Sequence, residues 1–376
     1  MRPESEAELA EMIAGAAEPF HIRGGGTRAI GLTTAPQVLE TGGLTGITLY
    51  EPGALTLVAR AGTPLVEIEA ALAAEGQRLA FEPMDHRGLL GTAGVPTIGG
   101  VVAANVSGPR RVQAGACRDF MLGVRFVDGT GQVVKNGGRV MKNVTGYDLV
   151  KLMSGSWGTL GVLTEVSLKV LPQPETSACV MIDGLSEAAA QEVMSRAVTS
   201  PFEITGAAHA PGGPGDQPLT VLRIEGFAGS VSYRLGRLRE MFSDHAVRVE
   251  TDAHRVAALW RWVRDVEMMQ GTGGDVWRLS VRPSAAPGLV ADLRARHDIH
   301  RVLYDWAGGL IWVECASGTD LRPEGLSGHA TLIRAAEETR LTLPVFQPEP
   351  PAVAALTQGI RARFDPKGVL NPGLMA

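Results

Sequence analysis

Cysteine is scarce. Three occur in 376 residues, Cys117, Cys179 and Cys315, and they lie far apart. That spacing supplies no disulfide framework and no zinc or iron–sulfur ligand set. They read as small buried apolar residues. Excess positive charge is also missing. The formal net charge is −5, so there is no electrostatic footprint for nucleic acid. No apolar run approaches the roughly 18 residues that a membrane span needs. The opening segment, "MRPESEAELAEMIAGAAEPF", is acidic and amphipathic and does not read as a signal peptide. The eight histidines are scattered. His297 and His300 stand at i, i+3, but no cluster completes a metal site, and none is expected. A cytoplasmic location is the default expectation.

Glycine is abundant, with 47 residues. The densest stretch is "HIRGGGTRAIG", residues 21–31. Three readings compete for it. Gly24, Gly26 and Ala29 satisfy G-x-G-x-x-G/A, but that fingerprint works only where a helix starts at the glycines. Gly31, two threonines and Pro36 follow instead. The stretch could be a plain surface turn. It could also be an anion-binding nest of successive N–H groups, with Arg23 adding charge and Thr27 a hydroxyl. The loop alone does not choose among them.

Along the chain, residues 5–17 read as a helix and "FHIR" as a short strand. "GITLY" and "LTLVARA" read as strands with a turn at Glu51–Gly53. Thr63 and Pro64 open a helix that Gly76 stops, and "RLAFEP" returns as a strand. Residues 91–120 form a second glycine-dense region. There Gly99 and Gly100 precede a short helical segment whose N-terminus would offer N–H groups to an anion. "FMLGVRFVDGTGQVV" reads as a hairpin turning at Asp128 and Gly129. "KNVTGYDLVKLMSGSWGTLGVLTEVSLKVLP" reads as a short helix, a glycine-punctuated turn and a strand.

These pieces together resemble the PCMH-type FAD-binding domain of the vanillyl-alcohol oxidase superfamily. The matching stretches are "RGGGTRAIG" (23–31), "PTIGGVVAANVSG" (96–108), "GYDLVKL" (146–152), "GSWGTLGVLTEV" (155–166) and "FDPKGVLNPG" (364–373). The resemblance implies an α+β fold with a two-subdomain FAD-binding domain over residues 1–172. An antiparallel α+β cap would follow over 173–345, and residues 346–376 would return toward the flavin. It also implies a pyrophosphate loop made by Arg23, Gly24, Gly25, Gly26 and Thr27. Thr97, Gly99, Gly100, Asn105, Ser107 and Gly108 would form a second FAD-contacting segment. Gly161 and Val162 would meet the adenine end, and Asn371 would close on the flavin. Some members attach FAD through a histidine in or near the glycine loop. Here Thr27 follows the glycines and His21 precedes them, so noncovalent FAD is expected.

The strands of the cap include "VWRLSVRP", which sets Arg278 and Arg282 at i, i+4 on one face. They are the candidate ligands for a substrate carboxylate, although a charged sheet face has the same pattern. No general base can be named. Five tryptophans, Trp260, Trp262, Trp277, Trp306 and Trp312, fall in this half and read mainly as core or interface residues. Loop 209–218 reads as a flexible connection.

Over its whole length the chain is similar to the E-subunit family of bacterial glycolate oxidases. That likeness implies oxidation of glycolate to glyoxylate beside a longer FAD subunit and an iron–sulfur subunit, with membrane contact at the inner face only through partners. The histidine-rich metal motif of related 2-hydroxy acid oxidising flavoproteins is missing, which favours a subunit role. The alternative is a stand-alone FAD-dependent 2-hydroxy acid dehydrogenase.

Overall fold

The computed structural model describes residues 1–139 and 146–375. The "KNVT" end of the expected short helix therefore lies outside the described residues. The fold is α+β. Strands β1 (Phe20–Arg23) and β2 (Gln37–Glu40) pair in parallel. Strands β3 (Ile47–Glu51) and β4 (Thr56–Arg60) follow. Next come the two-residue β5 (Gln77–Arg78), then β6 (Met121–Val127), β7 (Val133–Gly137) and β8 (Val162–Lys169). A five-stranded antiparallel sheet runs in the order β3-β4-β8-β6-β7. The β6–β7 turn is held by Asp128, whose Oδ1 accepts from the Thr130 and Gln132 N–H groups.

Two local expectations need correction. "RLAFEP" is not a strand beyond β5, which pairs only with β9 (Leu171–Pro172). Leu79, Ala80 and Phe81 are buried in succession, so no alternating face exists, and Glu82 turns the chain at φ +50°. Thr63 does not cap the helix Leu65–Ala74. Its hydroxyl is used by Gly46 and by the Arg60 carbonyl, which ties the helix to the sheet.

The cap is one eight-stranded antiparallel sheet built from two units of the same plan. The first is β10 (Thr176–Asp183), helix Glu187–Val198, β11 (Ile204–Ala210), β12 (Leu219–Gly226), helix Ala228–Met241 and β13 (Val247–Glu250). The second is β14 (Asp275–Val281), helix Ala286–Arg296, β15 (Ile299–Asp305), β16 (Leu310–Cys315) and β17 (Gly328–Arg334). The order β13-β10-β12-β11-β15-β16-β14-β17 is a split βαβ pattern followed by its mirror in sequence order. The second unit has no helix between its last two strands.

Period-2 alternation assigns the two faces of this sheet. Trp277, Leu279, Ile311 and Val313 pack under the helices. Val276, Leu303, Leu310, Trp312 and Ile333 join the core of the glycine-rich half. The cap therefore lies sheet-first on that half. A buried ion network reinforces the contact. Both Glu82 oxygens accept from Arg223 at 2.9 Å, and Arg78 and Arg110 both reach Glu225. After helix Pro351–Phe364 the chain re-enters the glycine-rich half, where the Asp365 carboxylate caps the Val369 and Leu370 N–H groups. Among the described residues, no helix is long and apolar enough to cross a membrane.

Candidate cofactor and active site

A cavity of about 390 Å³ opens where β1 ends. That lies within the usual range of about 300–1,000 Å³ for small-molecule sites. Its wall includes residues 23–33, Gly99 and Gly100, the turn at Trp157 and Gly158, Gly161 and Val162, and Asn371. Four segments distant in sequence thus meet at one space.

The glycine loop enters it directly from β1. The backbone N–H groups of Gly24, Gly25, Gly26 and Thr27 find no acceptor within the chain among the described residues. Such a run is what an anion nest requires. Of the three glycines only Gly26 is left-handed, at φ +70°. Gly24 and Gly25 are required by space. A Cβ on Gly24 would stand 2.7 Å from the Thr97 hydroxyl, and one on Gly25 would stand 1.5 Å from the Val95 carbonyl oxygen.

Arg23, expected to add charge, lines the cavity. Arg23 is in register with Glu40 across β1 and β2, and its guanidinium pairs with that carboxylate at the surface. Arg28 and Arg340 also line the cavity, and of the three arginines Arg28 lies deepest. The Arg28 Nε donates to His86 Nδ1 over 3.2 Å, and its Nη2 is buried without a partner. Burial lowers its pKa to about 10, so it remains charged at neutral pH. Burial, together with the Arg28 charge, pushes His86 down to about 3 and keeps the imidazole neutral.

The second glycine segment has another role than the one expected of its N-terminus. In helix Ile98–Ala103 the first N–H groups are already used: Ile98 by the Thr63 carbonyl, Gly99 by Ala61 and Gly100 by the Thr97 hydroxyl. Gly99 allows close approach, because its Cβ would lie 2.7 Å from Ala61. Gly99 and Gly100 line the cavity, whereas Thr97, Asn105, Ser107 and Gly108 do not. The Asn105 oxygen accepts from the Arg118 N–H and the Ser107 hydroxyl accepts from Cys117. Gly108 passes the Glu82 carbonyl, where a Cβ would sit 2.1 Å away, and accepts from the Trp306 indole.

Asn371 closes the far side. Its side-chain oxygen accepts from Ile22 N–H at 2.7 Å, and its amide donates to the Trp157 carbonyl at 2.8 Å. It thereby joins β1, the Trp157 turn and the C-terminal return. The tryptophan in the wall is Trp157, which the sequence reading passed over in favour of the five in the cap. Positive φ at Trp157 and Gly158 marks the sharp turn that brings it there.

Arg278 and Arg282 are not brought together. β14 stops at Val281, and Arg282 is exposed at the start of the turn formed by Pro283–Ala285. Pro283 cannot donate to the ladder, which ends the strand. Arg278 stays on the face toward the glycine-rich half, opposite Trp312 and Thr331. Its guanidinium lies 5.2 Å from the Trp306 ring centre, and that of Arg111 lies 4.5 Å from the same ring. No carboxylate pairs with either among the described residues. Burial first, and then the Arg111 charge, lower Arg278 to about 10.

Comparison with known proteins fixes the class. The family described as FAD binding domain matches residues 1–137. The chain is an FAD-binding oxidoreductase, and FAD is its cofactor. It is 36% identical to the Escherichia coli glycolate oxidase subunit GlcE over 95% of this chain and 92% of that one. The chain belongs to the family of that subunit. It is also 29% identical to the Bacillus subtilis glycolate oxidase subunit GlcD, over 56% of this chain and 43% of GlcD. A D-lactate dehydrogenase of Archaeoglobus fulgidus is 31% identical over 46% of this chain and 38% of its own length. In fold, the chain superposes on an alkyldihydroxyacetonephosphate synthase with a TM-score of 0.67 at 15% identity. That match covers 99% of this chain and 76% of the other. The cavity suits FAD on three counts: unpaired loop N–H groups, a cradle that a Cβ would fill, and a guanidinium with an enclosed Nη2 and no anion.

Proposed function

We propose that this chain is an FAD-bearing subunit of a complex that oxidises glycolate to glyoxylate. The end-to-end similarity to GlcE carries the reading. FAD is held noncovalently, with its diphosphate on the N–H groups of residues 24–27 and its adenine end beside Gly161 and Val162. Asn371 positions the wall through Ile22 and Trp157. Thr97, Asn105, Ser107 and Gly108 act from behind by fixing the segment that carries Gly99 and Gly100. When bound, FAD supplies a two-electron acceptor. Oxidation of glycolate releases two electrons and two protons. The chain has no cysteine cluster for a second redox centre, so the electrons leave to a partner. The partners in this reading are a longer FAD subunit and an iron–sulfur subunit.

A second reading, a stand-alone 2-hydroxy acid dehydrogenase, is favoured by Arg278. An unpaired guanidinium on the inner face of the cap is suited to a carboxylate. Anaerobic addition of glycolate to the purified chain separates the two. Bleaching only after the partner subunits are added supports the subunit reading. Full bleaching by the chain alone supports the dehydrogenase.

A further inference from the structure

We propose that Arg28 is a cofactor-binding residue whose guanidinium pairs with an anionic oxygen of bound FAD. The inference rests on the reading that the cavity beside the glycine loop holds FAD. Arg28 follows Gly26 by two residues and lines that cavity. Arg28 is half-buried with its Nη2 fully enclosed, and no carboxylate pairs with it among the described residues. The nearby Asp85 is already engaged, its two oxygens taken by Arg87 in a two-pronged pair. His86 offers Nε a lone pair and no charge. Neither Nη1 nor Nη2 has an acceptor among the described residues: Nη2 is buried, and Nη1 lies beside Gly100 at the cavity wall, 3.3 Å from where a Cβ on that glycine would stand.

A buried cation without a counter-charge is costly, and removing the partner of such a group is strongly unfavourable. The chain keeps a half-buried one here beside a ligand cavity. An anionic oxygen of the cofactor would meet both needs, since charge-assisted hydrogen bonds are the strong ones. FAD offers two sources of that chemistry. One is the diphosphate. The other is the ring, whose pyrimidine oxygen becomes more negative on reduction.

The test uses the purified full chain, as wild type, Arg28→Met and Arg28→Lys. FAD affinity is measured by titrating the apo-protein, and the two-electron potential of the bound flavin is measured spectroscopically. If the oxygen belongs to the diphosphate, Arg28→Met binds FAD about ten- to a hundredfold more weakly, at an unchanged potential. If it belongs to the ring, oxidised FAD binds within a few fold of wild type. The preference for the reduced form then falls at least tenfold, which is a drop of about 30 mV for a two-electron couple.

Arg28→Lys keeps the charge but loses the planar fork, and recovers part of either effect. The apo form of Arg28→Met should also melt above apo wild type, because an unpaired, half-buried charge is gone, and the holo form should not. A merely structural arginine would not give that reversal. Unchanged affinity and unchanged potential in both variants, with a wild type that binds FAD, overturn the inference and leave the FAD reading standing. A wild-type chain that takes up no FAD overturns both.

Discussion

Gly25 and Gly94 pack backbone against backbone. A Cβ on Gly25 would stand 1.5 Å from the Val95 carbonyl oxygen, and a Cβ on Gly94 would stand 1.7 Å from the Gly25 carbonyl oxygen. The glycine loop is thus shaped from behind by a second loop. Gly25→Ala cannot be absorbed by a rotamer change, because the obstructing Val95 carbonyl is backbone. The variant should lose most of its FAD while keeping its far-ultraviolet circular dichroism. Gly138→Ala, with nothing within 4 Å of its Cβ, should retain FAD. A fully loaded Gly25→Ala protein would show that the loop is only a turn.

Thr27 follows the glycines, and His21 is half-buried at the cavity wall, its pKa lowered by burial and then by Arg23. Acid precipitation of the holo-protein should leave the yellow colour in the supernatant. Colour held in the pellet would indicate a covalent bond, with His21 the first residue to replace.

The Glu82–Arg223 pair ties the cap to the glycine-rich half through two buried bonds of 2.9 Å, and Arg223 also stacks on Trp260 at 4.3 Å. Glu82→Ala leaves that guanidinium buried and short of a partner. The expected loss is about 3–5 kcal/mol in urea unfolding. The double variant Glu82→Leu, Arg223→Met should be milder than the single one, since both desolvated charges are gone.

Two buried histidines give the fold an acid limit. Burial pushes His86 down to about 3 and His209 down to about 4. Between those values and about 6.5, the ordinary histidine pKa, the unfolded chain binds protons that the folded chain refuses. Stability therefore rises with pH in that window and is lost as pH falls through it. Each group contributes up to about 1.4 kcal/mol per pH unit. His209→Gln should flatten the melting-temperature profile between about pH 4 and 6.5. An unaltered slope would mean that His209 is not the group responsible.

The glycine loop was legible because left-handed φ and close backbone approach both demand the same residue and so leave a mark in composition. Arg28 stands in the same stretch, but nothing local distinguishes it from Arg23. Only tertiary packing exposes one to Glu40 and buries the other beside His86. The N–H groups of Ile98 and Gly99 looked available because the Thr63 and Ala61 carbonyls that take them lie some 35 residues away. The doubled plan of the cap is a feature of strand order, which appears only once the strands are paired. The end of β14 could have been read: Pro283 directly follows Arg282.

That strand end sets the last prediction. Arg278 faces the glycine-rich half beside Trp306 and has no hydrogen-bond partner among the described residues, whereas Arg282 is exposed beyond the strand. If the chain oxidises a 2-hydroxy acid itself, Arg278 holds the carboxylate. Arg278→Met then raises KM for glycolate about ten- to a hundredfold, the loss expected for one charge-assisted contact. Arg278→Lys restores part of it, because a point charge replaces a fork. Arg282→Met leaves KM unchanged. The readout is steady-state dye reduction by the complete complex, so that a partner's contribution is present in every variant. If the partner flavin subunit performs the oxidation, KM stays constant across all three variants. Arg278 then belongs to the packing around Trp306, and its replacement shows only in the melting temperature of the purified chain.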